Sequence, residues 1–255
     1  MQKIFLVVFL ACTAILTAKS QSKEYFQLKI YHLKTKIQEE RIDRFLQNAW
    51  LPAVHRAGIK NIGVFKQITP DTVERLVYVL IPFKSFKQFE NLDRSLEKDR
   101  QYAAAGKDYI DAAYNEAPYV RMESILMQAF SGMPRLQPSP LTGPRSERVY
   151  ELRSYEGPTE KYYINKVKMF NDGDEVGLFK RLGFNAVFYA EVISGSRMPN
   201  LMYMTSFDSK ASRDEHWKTF SNDEQWKKLR VMSEYQNNVS KIDIMFLYPT
   251  EYSDY

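Results

Sequence analysis

Acidic, basic and phenolic residues alternate with apolar residues on two short segments of the chain. The segment 149–155 carries one polar set, which comprises Glu151, Arg153 and Tyr155. The segment 25–31 carries a matching set, which comprises Gln27, Lys29 and Tyr31. Both segments are rich in residues that favour β-strands, and successive side chains on a strand point to opposite faces. Each polar set therefore shares one face of its strand, where it could bind a small polar molecule.

The chemistry open to these six residues depends on what surrounds them. We expect the apolar residues of both strands to pack under helices and the two polar sets to face the space between two sheets. There Arg153 and Lys29 could hold an acidic or carbonyl-bearing ligand, while Tyr31 and Tyr155 stack on it or donate a hydrogen bond. A desolvated Glu151 could accept a proton near neutral pH. The same residues could instead form an internal ion-pair layer that fixes strand register and subunit pairing without any ligand.

The two strands open two halves in which the predicted elements follow the same order. The first half is predicted to contain strand 25–33, a helix over 37–57, strands 59–67 and 75–82, helices over 84–95 and 97–114, and strand 119–130. The second half is predicted to contain strand 148–156, a helix over 159–182, strands 184–193 and 200–207, helices over 209–220 and 222–236, and strand 239–248. Short sequence matches recur in the same order in both halves, such as Leu76-Val77-Tyr78-Val79 with Leu201-Met202-Tyr203-Met204.

This order predicts an α+β protein built of two tandem ferredoxin-like (βαββαβ) units. One such unit has helices on one face of its sheet and leaves the other face bare, so two units can bury their bare faces against each other. We therefore expect an α+β barrel with face-to-face antiparallel sheets. The predicted divisions are an N-terminal half at 21–130, a linker rich in proline and glycine at 131–147, a C-terminal half at 148–249, and a loose tail at 250–255.

The second half also resembles a known family. The run Val149-Tyr150-Glu151-Leu152-Arg153-Ser154-Tyr155 is similar to the start of NIPSNAP domains, which belong to the dimeric α+β barrel superfamily. The segment Tyr203–Ser209, with Arg213, Trp217 and Asp223–Trp226 after it, is similar to the same family's third strand and following helices. The resemblance is good over 149–247 and weaker over 25–130. It implies the barrel architecture and a homodimer, but the family has no settled activity.

Three function classes stay open on this evidence. The first is a small-molecule-binding or assembly domain of the NIPSNAP type. The second is a cofactor-free or haem-dependent oxygenase or isomerase, as in other members of the superfamily, some of which bind haem through a helical histidine. His216 would be the haem or metal ligand to test first, although no metal-binding spacing surrounds it and no cofactor is expected. The third is a pure protein-interaction module.

The N-terminus and the composition indicate where the protein works. Residues 1–20 combine a lysine, an apolar run over 4–17 and small residues, which is typical of a signal peptide, so we expect export to the periplasm or the medium. The run is shorter than the about 20 residues of a membrane-spanning helix, so no stable span is expected after cleavage. Lipidation at Cys12, the single cysteine, is a less favoured alternative. The net charge is +5, and the basic residues are not clustered into the stripe that nucleic-acid-binding proteins show. We therefore expect no nucleic-acid partner.

Overall fold

The computed structural model of the protein describes residues 22–68 and 74–255. The predicted signal peptide and Cys12 lie outside the described residues. Within the described ranges, no helix combines the length and the hydropathy that a membrane crossing needs.

Each half contributes four strands and several helices. The first half contains β1 (Tyr25–Leu33), α1 (Lys36–Phe45), a π-helical turn (Leu46–Trp50), α2 (Leu51–Arg56), β2 (Gly63–Gln67), β3 (Arg75–Phe83), α3 (Phe86–Glu97), α4 (Arg100–Ala105), α5 (Lys107–Ile110) and β4 (Arg121–Ala129). The second half contains β5 (Val149–Glu156), α6 (Glu160–Asn171), α7 (Glu175–Arg181), β6 (Asn185–Ser194), β7 (Asn200–Phe207), α8 (Lys210–Asn222), α9 (Glu224–Leu229), a 3₁₀ turn (Ser233–Tyr235) and β8 (Lys241–Pro249).

The eight strands form one closed antiparallel barrel in the order β1-β3-β2-β8-β5-β7-β6-β4. The strands of the first half are adjacent as β4-β1-β3-β2, and those of the second half as β8-β5-β7-β6. The two groups are joined by hydrogen bonds between β2 and β8 and between β4 and β6. The predicted α+β barrel is therefore present, but its two sheets are joined at their edges rather than simply facing each other. The closing contacts are short, so 121–125 of β4 and 241–246 of β8 pair with a strand on one side only.

The interior of the barrel is mostly apolar. Alternate residues of β1 and β5 point into it and pack with side chains from the other strands, among them Phe26, Leu28, Tyr150 and Leu152. The expectation that the polar sets of these two strands face the inside is therefore wrong. An eight-stranded barrel is just wide enough to be filled by its own side chains, so it leaves no water or partner for an inward charge. The polar sets point outward, where helices cover them.

Matching polar contacts hold the helices of the two halves in place. Asp99 begins α4 by accepting hydrogen bonds from the backbone of the next turn, and it also forms an ion pair with Arg56 at 2.6 Å. Asp223 begins α9 in the same way and forms an ion pair with Arg181 at 2.9 Å. These aspartates stand at equivalent places in the two predicted units, so both halves anchor their last helices by the same device.

The first helical region of each half ends at a glycine, as the sequence predicts. Gly58 has φ +82° and Gly183 has φ +76°, in the left-handed region that favours glycine. The predicted helix over 159–182 is interrupted, however, and forms α6 and α7. Asp174, at φ +58°, lies between the two.

The C-terminal residues are packed, so the prediction of a loose tail is wrong. Tyr255 is 5% exposed, and its ring lies 5.6 Å from Phe65 and 5.9 Å from Tyr150 at one end of the barrel core. The backbone of Asp254 donates a hydrogen bond to Ile62, which ties the tail to the start of β2. An aromatic side chain inside the core outweighs the polar character that the sequence of the tail suggests.

Candidate functional site

Glu151 is the centre of the polar cluster between β5 and α8. Its side chain is fully buried. Oε1 accepts hydrogen bonds from Arg153 Nε and Arg213 Nη2, both at 2.7 Å. Oε2 accepts from Arg213 Nε and Trp217 Nε1, again both at 2.7 Å. Since a carboxylate has about four positions for accepted hydrogen bonds, the donors of the protein itself occupy the whole capacity of this group.

The surroundings of Glu151 keep it ionised. Burial alone would raise the pKa of its carboxyl group, but the hydrogen bonds from Arg213 and the charges of Arg153 and Arg213 outweigh burial and lower the pKa. A carboxylate with a lowered pKa and no free lone pair is a poor proton acceptor. This geometry therefore favours a structural role for Glu151 over a role as a general base.

Arg153 links the carboxylate to an aromatic layer. Its guanidinium group stacks over the ring of Trp217 at 3.7 Å, and its Nη1 donates to Tyr155 Oη at 3.0 Å. The hydroxyl groups of Tyr155 and Tyr203 are 2.9 Å apart and share a hydrogen bond. Burial raises the pKa of Tyr203 well above its ordinary value, with the Tyr155 hydroxyl as a second cause, so Tyr203 stays protonated at neutral pH.

A second buried ion pair lies in the same half. Lys166 Nζ donates to Glu175 Oε2 at 2.9 Å, and both side chains are less than a tenth exposed. The ammonium group lies 4.7 Å from the centre of the Phe170 ring, which adds a cation–π contact. The pair therefore connects α6 to α7 across the break between these helices. Tyr189 on β6 belongs to the same aromatic core, and its buried hydroxyl has no hydrogen-bond partner among the described residues.

The matching set of the first half has different partners. Gln27 Nε2 donates to Ser124 Oγ at 2.8 Å, and Tyr31 packs edge-on against Tyr119 at 5.7 Å. Lys29 lies 5.6 Å from the ring of Trp50. Burial lowers the pKa of Lys29, and the charge of Asp93 offsets only part of that effect. β1 has the uncharged Gln27 where β5 has Glu151, so its polar set contains no carboxylate for arginines to hold.

The structure does not bring the two polar sets together in one cavity. β1 and β5 are four strands apart in either direction around the eight-stranded barrel, so they lie on opposite sides. Tyr31 belongs to the core under the helices of the first half, whereas Tyr155 belongs to the core under those of the second half. The expectation of six groups converging on one ligand is wrong because both sets point outward from opposite walls.

His216 lies in a tightly packed position on α8. Its Nδ1 donates to the backbone carbonyl of Ser212 at 2.7 Å, and its ring packs against Phe184 at 5.6 Å and Phe207 at 5.4 Å. A Cβ atom on Gly183 would lie 3.4 Å from Nε2, so the second ring nitrogen faces the backbone of that glycine. The structure therefore gives His216 a packing role between α8 and the Phe184–Phe207 region, with Nδ1 bonded to the backbone. Across the described ranges, no group of three or more histidine, cysteine or acidic residues is arranged to hold a metal ion.

Two members of the Glu151 cluster were not predicted as site residues. Arg213 and Trp217 supported the family resemblance, and Trp217 was otherwise interpreted as a packing residue. They are four residues apart on α8, so they lie on the same face of that helix. The sequence did contain a signal for their role. A helix that carries an arginine and a tryptophan on one face must cover a strand that carries a glutamate, and both side chains can donate to that carboxylate. The Lys166–Glu175 pair had no such signal, because it depends on where the helix breaks.

Comparison with known proteins places the chain among proteins of the same fold. Residues 150–254 match the NIPSNAP family model. No curated protein matches the chain. A candidate monooxygenase of Lactobacillus acidophilus NCFM is 10% identical with a TM-score of 0.57, and the alignment covers 89% of this chain and 94% of that one. A candidate monooxygenase of Fusobacterium nucleatum is 6% identical with a TM-score of 0.56, over 89% and 93% of the two chains. An anthrone oxidase-like protein is 12% identical with a TM-score of 0.52, over 91% and 93%. At these identities the likeness shows the fold alone.

Proposed function

We propose that the protein, whose residues 150–254 match the NIPSNAP family model, acts by binding a small acidic or carbonyl-bearing molecule, and that its Glu151 cluster is structural rather than catalytic. The observation that carries the structural assignment of the cluster is the saturation of the Glu151 carboxylate by Arg153, Arg213 and Trp217. A general base needs a free lone pair within hydrogen-bond reach of its substrate. Glu151 has none, and a ligand could reach it only by displacing donors of the protein.

The alternative is an oxygenase or isomerase, the class suggested by the names of the neighbours with the same fold. A reaction inside the barrel would require a polar group there to bind or activate the substrate. The barrel interior is packed mostly with apolar residues such as Phe26, Leu28 and Phe188. Its polar side chains Ser154 and Asn200 are buried and hydrogen-bonded to each other. His216 bonds to the Ser212 carbonyl and packs against Phe184 and Phe207, contacts that a structural histidine makes. The proposed role therefore requires neither a cofactor nor a catalytic residue.

The proposal includes an origin of the fold as two tandem ferredoxin-like units. The strand order β4-β1-β3-β2 in the first half and β8-β5-β7-β6 in the second is the same arrangement, and it supports this interpretation. The Arg56–Asp99 and Arg181–Asp223 pairs at equivalent places support it further. On this interpretation the polar set on β5 gained its partners on α8, while the set on β1 did not.

We also propose export through residues 1–20 and association into a homodimer. Fractionation of cells that express the full chain should place the protein outside the cytoplasm, without residues 1–20. Light scattering during gel filtration should give twice the monomer mass. A cytoplasmic, full-length product would contradict export, and a monomer mass at high protein concentration would contradict the dimer.

A thermal-shift screen tests the binding role and the structural role of the cluster together. The wild type and Arg153→Met are heated with benzoate, decanoate, pyruvate and 1-naphthoate, and a parallel absorbance spectrum is taken with haemin. At least one acid should raise the melting temperature of both proteins by the same amount, and haemin should give no shift of its Soret band. A shift lost in Arg153→Met would make the cluster the ligand site and would refute the structural assignment. Stabilisation by no acid would count against the binding role.

A further inference from the structure

A cleft of about 430 Å³ lies between the segment after β4 and the helix α7. One wall is the chain at 132–137, which the sequence predicts only as a linker. The opposite wall is formed by Val176 and Lys180 on α7, and the floor by Phe184, Ala186 and Tyr189 at the start of β6. The volume falls in the range of small-molecule sites. This cleft is on the outside of the barrel and none of its lining residues belongs to the Glu151 cluster, although the floor residue Phe184 packs against Trp217 with the ring centres 5.2 Å apart.

The linker wall is fixed in place although it contains no helix or strand. The backbone N–H of Gly132 donates to Asn171 Oδ1 on α6 at 2.8 Å. The N–H of Leu136 donates to Glu24 Oε2 at 2.9 Å, and the Leu136 side chain is buried in the barrel core. These anchors lie on both sides of the segment that faces α7. The cleft is therefore preformed, which lowers the entropic cost of binding a ligand.

Two cations of the described residues stand at the cleft without an ion pair, although the Glu24 carboxylate lies on the backbone N–H of Leu136, next to Arg135. Arg135 on the linker and Lys180 on α7 are both exposed, and neither forms an ion pair with any residue of 22–68 or 74–255. The neighbouring Arg181 is paired with Asp223, and the nearest acidic residue of α7, Glu175, is held by Lys166. Arg135 and Lys180 therefore remain available to an anion from solution.

The rest of the lining is mostly apolar. Met133 and Pro134 on the linker face Val176 on α7, with Phe184 and Ala186 beneath. Apolar walls favour the burial of a hydrocarbon or aromatic body, and methionine adapts to bodies of different shape. An arginine beside such walls fixes a planar carboxylate by paired hydrogen bonds. A purely inorganic anion would leave the apolar walls unused.

We propose that this cleft binds a monocarboxylate with an apolar body, its carboxylate between Arg135 and Lys180 and its body against Met133, Val176 and Phe184. The inference rests on the proposed binding role and names its site and ligand class. The sequence suggested a ligand in the barrel interior, whereas the proposed site is the cleft between the linker and α7.

The test uses 1-naphthoate as the probe and isothermal titration calorimetry on the full mature chain. Arg135→Gln and Lys180→Gln should each weaken binding about tenfold, because each removes a charged hydrogen-bond donor. Lys161→Gln, an exposed lysine on α6 with the same change of charge, should leave binding unchanged. The uncharged probe 1-naphthalenemethanol should bind at least tenfold more weakly than 1-naphthoate. In a ¹H–¹⁵N spectrum the amide signal of Gly132 should move with 1-naphthoate, whereas that of Leu152 should not.

The outcomes separate this inference from the proposed function. Equal binding by the wild type, Arg135→Gln and Lys180→Gln would overturn the cleft, and so would a moved Leu152 signal with a fixed Gly132 signal. Binding that is lost in Arg153→Met but kept in the two cleft variants would overturn both the cleft and the structural assignment of the cluster. A wild type that binds pyruvate or decanoate but not 1-naphthoate would overturn the ligand class and leave the binding role standing.

Discussion

Replacement of Glu151 by glutamine is expected to destabilise the protein severely. The side chain is fully buried, and Arg153 and Arg213 both donate to it. Glutamine keeps the shape of the side chain but removes the negative charge. Its amide NH₂ group, a donor, would also face N–H donors of the arginines or of Trp217. Removal of one partner from a buried ion pair costs about 3–5 kcal/mol of unfolding free energy, because the remaining charge is uncompensated. That is a large share of the about 5–15 kcal/mol that stabilises a typical domain.

Urea unfolding followed by circular dichroism measures this loss. In a chain of this size, a loss of about 3–5 kcal/mol corresponds to a fall in melting temperature of roughly 6–20 °C. Glu215→Gln is the matched control, since Glu215 is exposed on the same helix as Arg213 and its loss should change the free energy by less than about 0.5 kcal/mol. A cost below about 1 kcal/mol for Glu151→Gln would refute the assignment of the carboxylate as a structural centre.

The pH dependence gives this prediction a second, independent readout. Because the folded state lowers the pKa of Glu151 from its ordinary 4.5, the ionised form contributes stability above that value, and the contribution is lost as the pH falls through the lowered pKa. The gap in unfolding free energy between wild type and Glu151→Gln should therefore be largest near neutral pH and should shrink in acid. A gap that widens below pH 4 would contradict this linkage.

Three further predictions concern other parts of the barrel. His32 bridges Glu74 at 2.7 Å and Glu123 at 2.6 Å, and although burial opposes protonation, these carboxylates outweigh it and raise the pKa of the imidazole. The contribution of the charged His32 to the unfolding free energy is therefore full below pH about 6.5 and is lost as the pH rises through the raised pKa. Unfolding free energies measured from pH 5 to 9 should show this fall in the wild type and not in His32→Gln. Equal profiles for the two proteins would exclude the bridge. Lys29→Met should stabilise the protein by about 1 kcal/mol at neutral pH, because burial lowers the pKa of Lys29 and the charged form is disfavoured in the folded state; urea unfolding checks this, and a loss of 2 kcal/mol or more would contradict it. Tyr255→Ala should cost about 3 kcal/mol, because it empties a site between Phe65 and Tyr150; an unchanged urea midpoint would show that the tail does not close the core in solution.

Much of the fold could be predicted because its signals are local. The alternation of β1 and β5, the glycines at 58 and 183, and the repeated order of elements are each determined within a few residues. The contacts that close the barrel, between β2 and β8 and between β4 and β6, pair strands of opposite halves. Local pattern carries no information about such pairings, so the sequence predicted two sheets and not their joined edges.

The orientation of the polar sets could not be predicted, for a physical reason. β5 is buried along nearly its whole length on both faces, by the barrel core on one side and by helices on the other. Alternation shows that the two faces of such a strand differ, but it does not show which face is inside. The answer depends on the width of the barrel and on Arg213, which is far from Glu151 in sequence and supplies the charge that the outer face needs.

The cleft was missed because its wall lies in a segment without regular structure. Proline and glycine predict correctly that 131–147 contains no helix or strand, and the same composition suggests a passive linker. The position of Arg135 opposite Lys180 depends on tertiary anchors such as Gly132 to Asn171. A loop that is held in place by tertiary contacts has no helical or strand periodicity, so the sequence pattern does not reveal that it lines a binding site.

The carboxyl group of Glu151 offers the most direct test of the central claim that the cluster is structural. A ¹³C NMR titration of the side-chain carboxyl carbons, with the signal assigned by its absence in Glu151→Gln, follows the ionisation of this one group. The account predicts a midpoint below the ordinary 4.5, with no change of the signal between pH 5 and 9. A midpoint between pH 6 and 8 would show a carboxylate poised to accept a proton, and it would contradict the account.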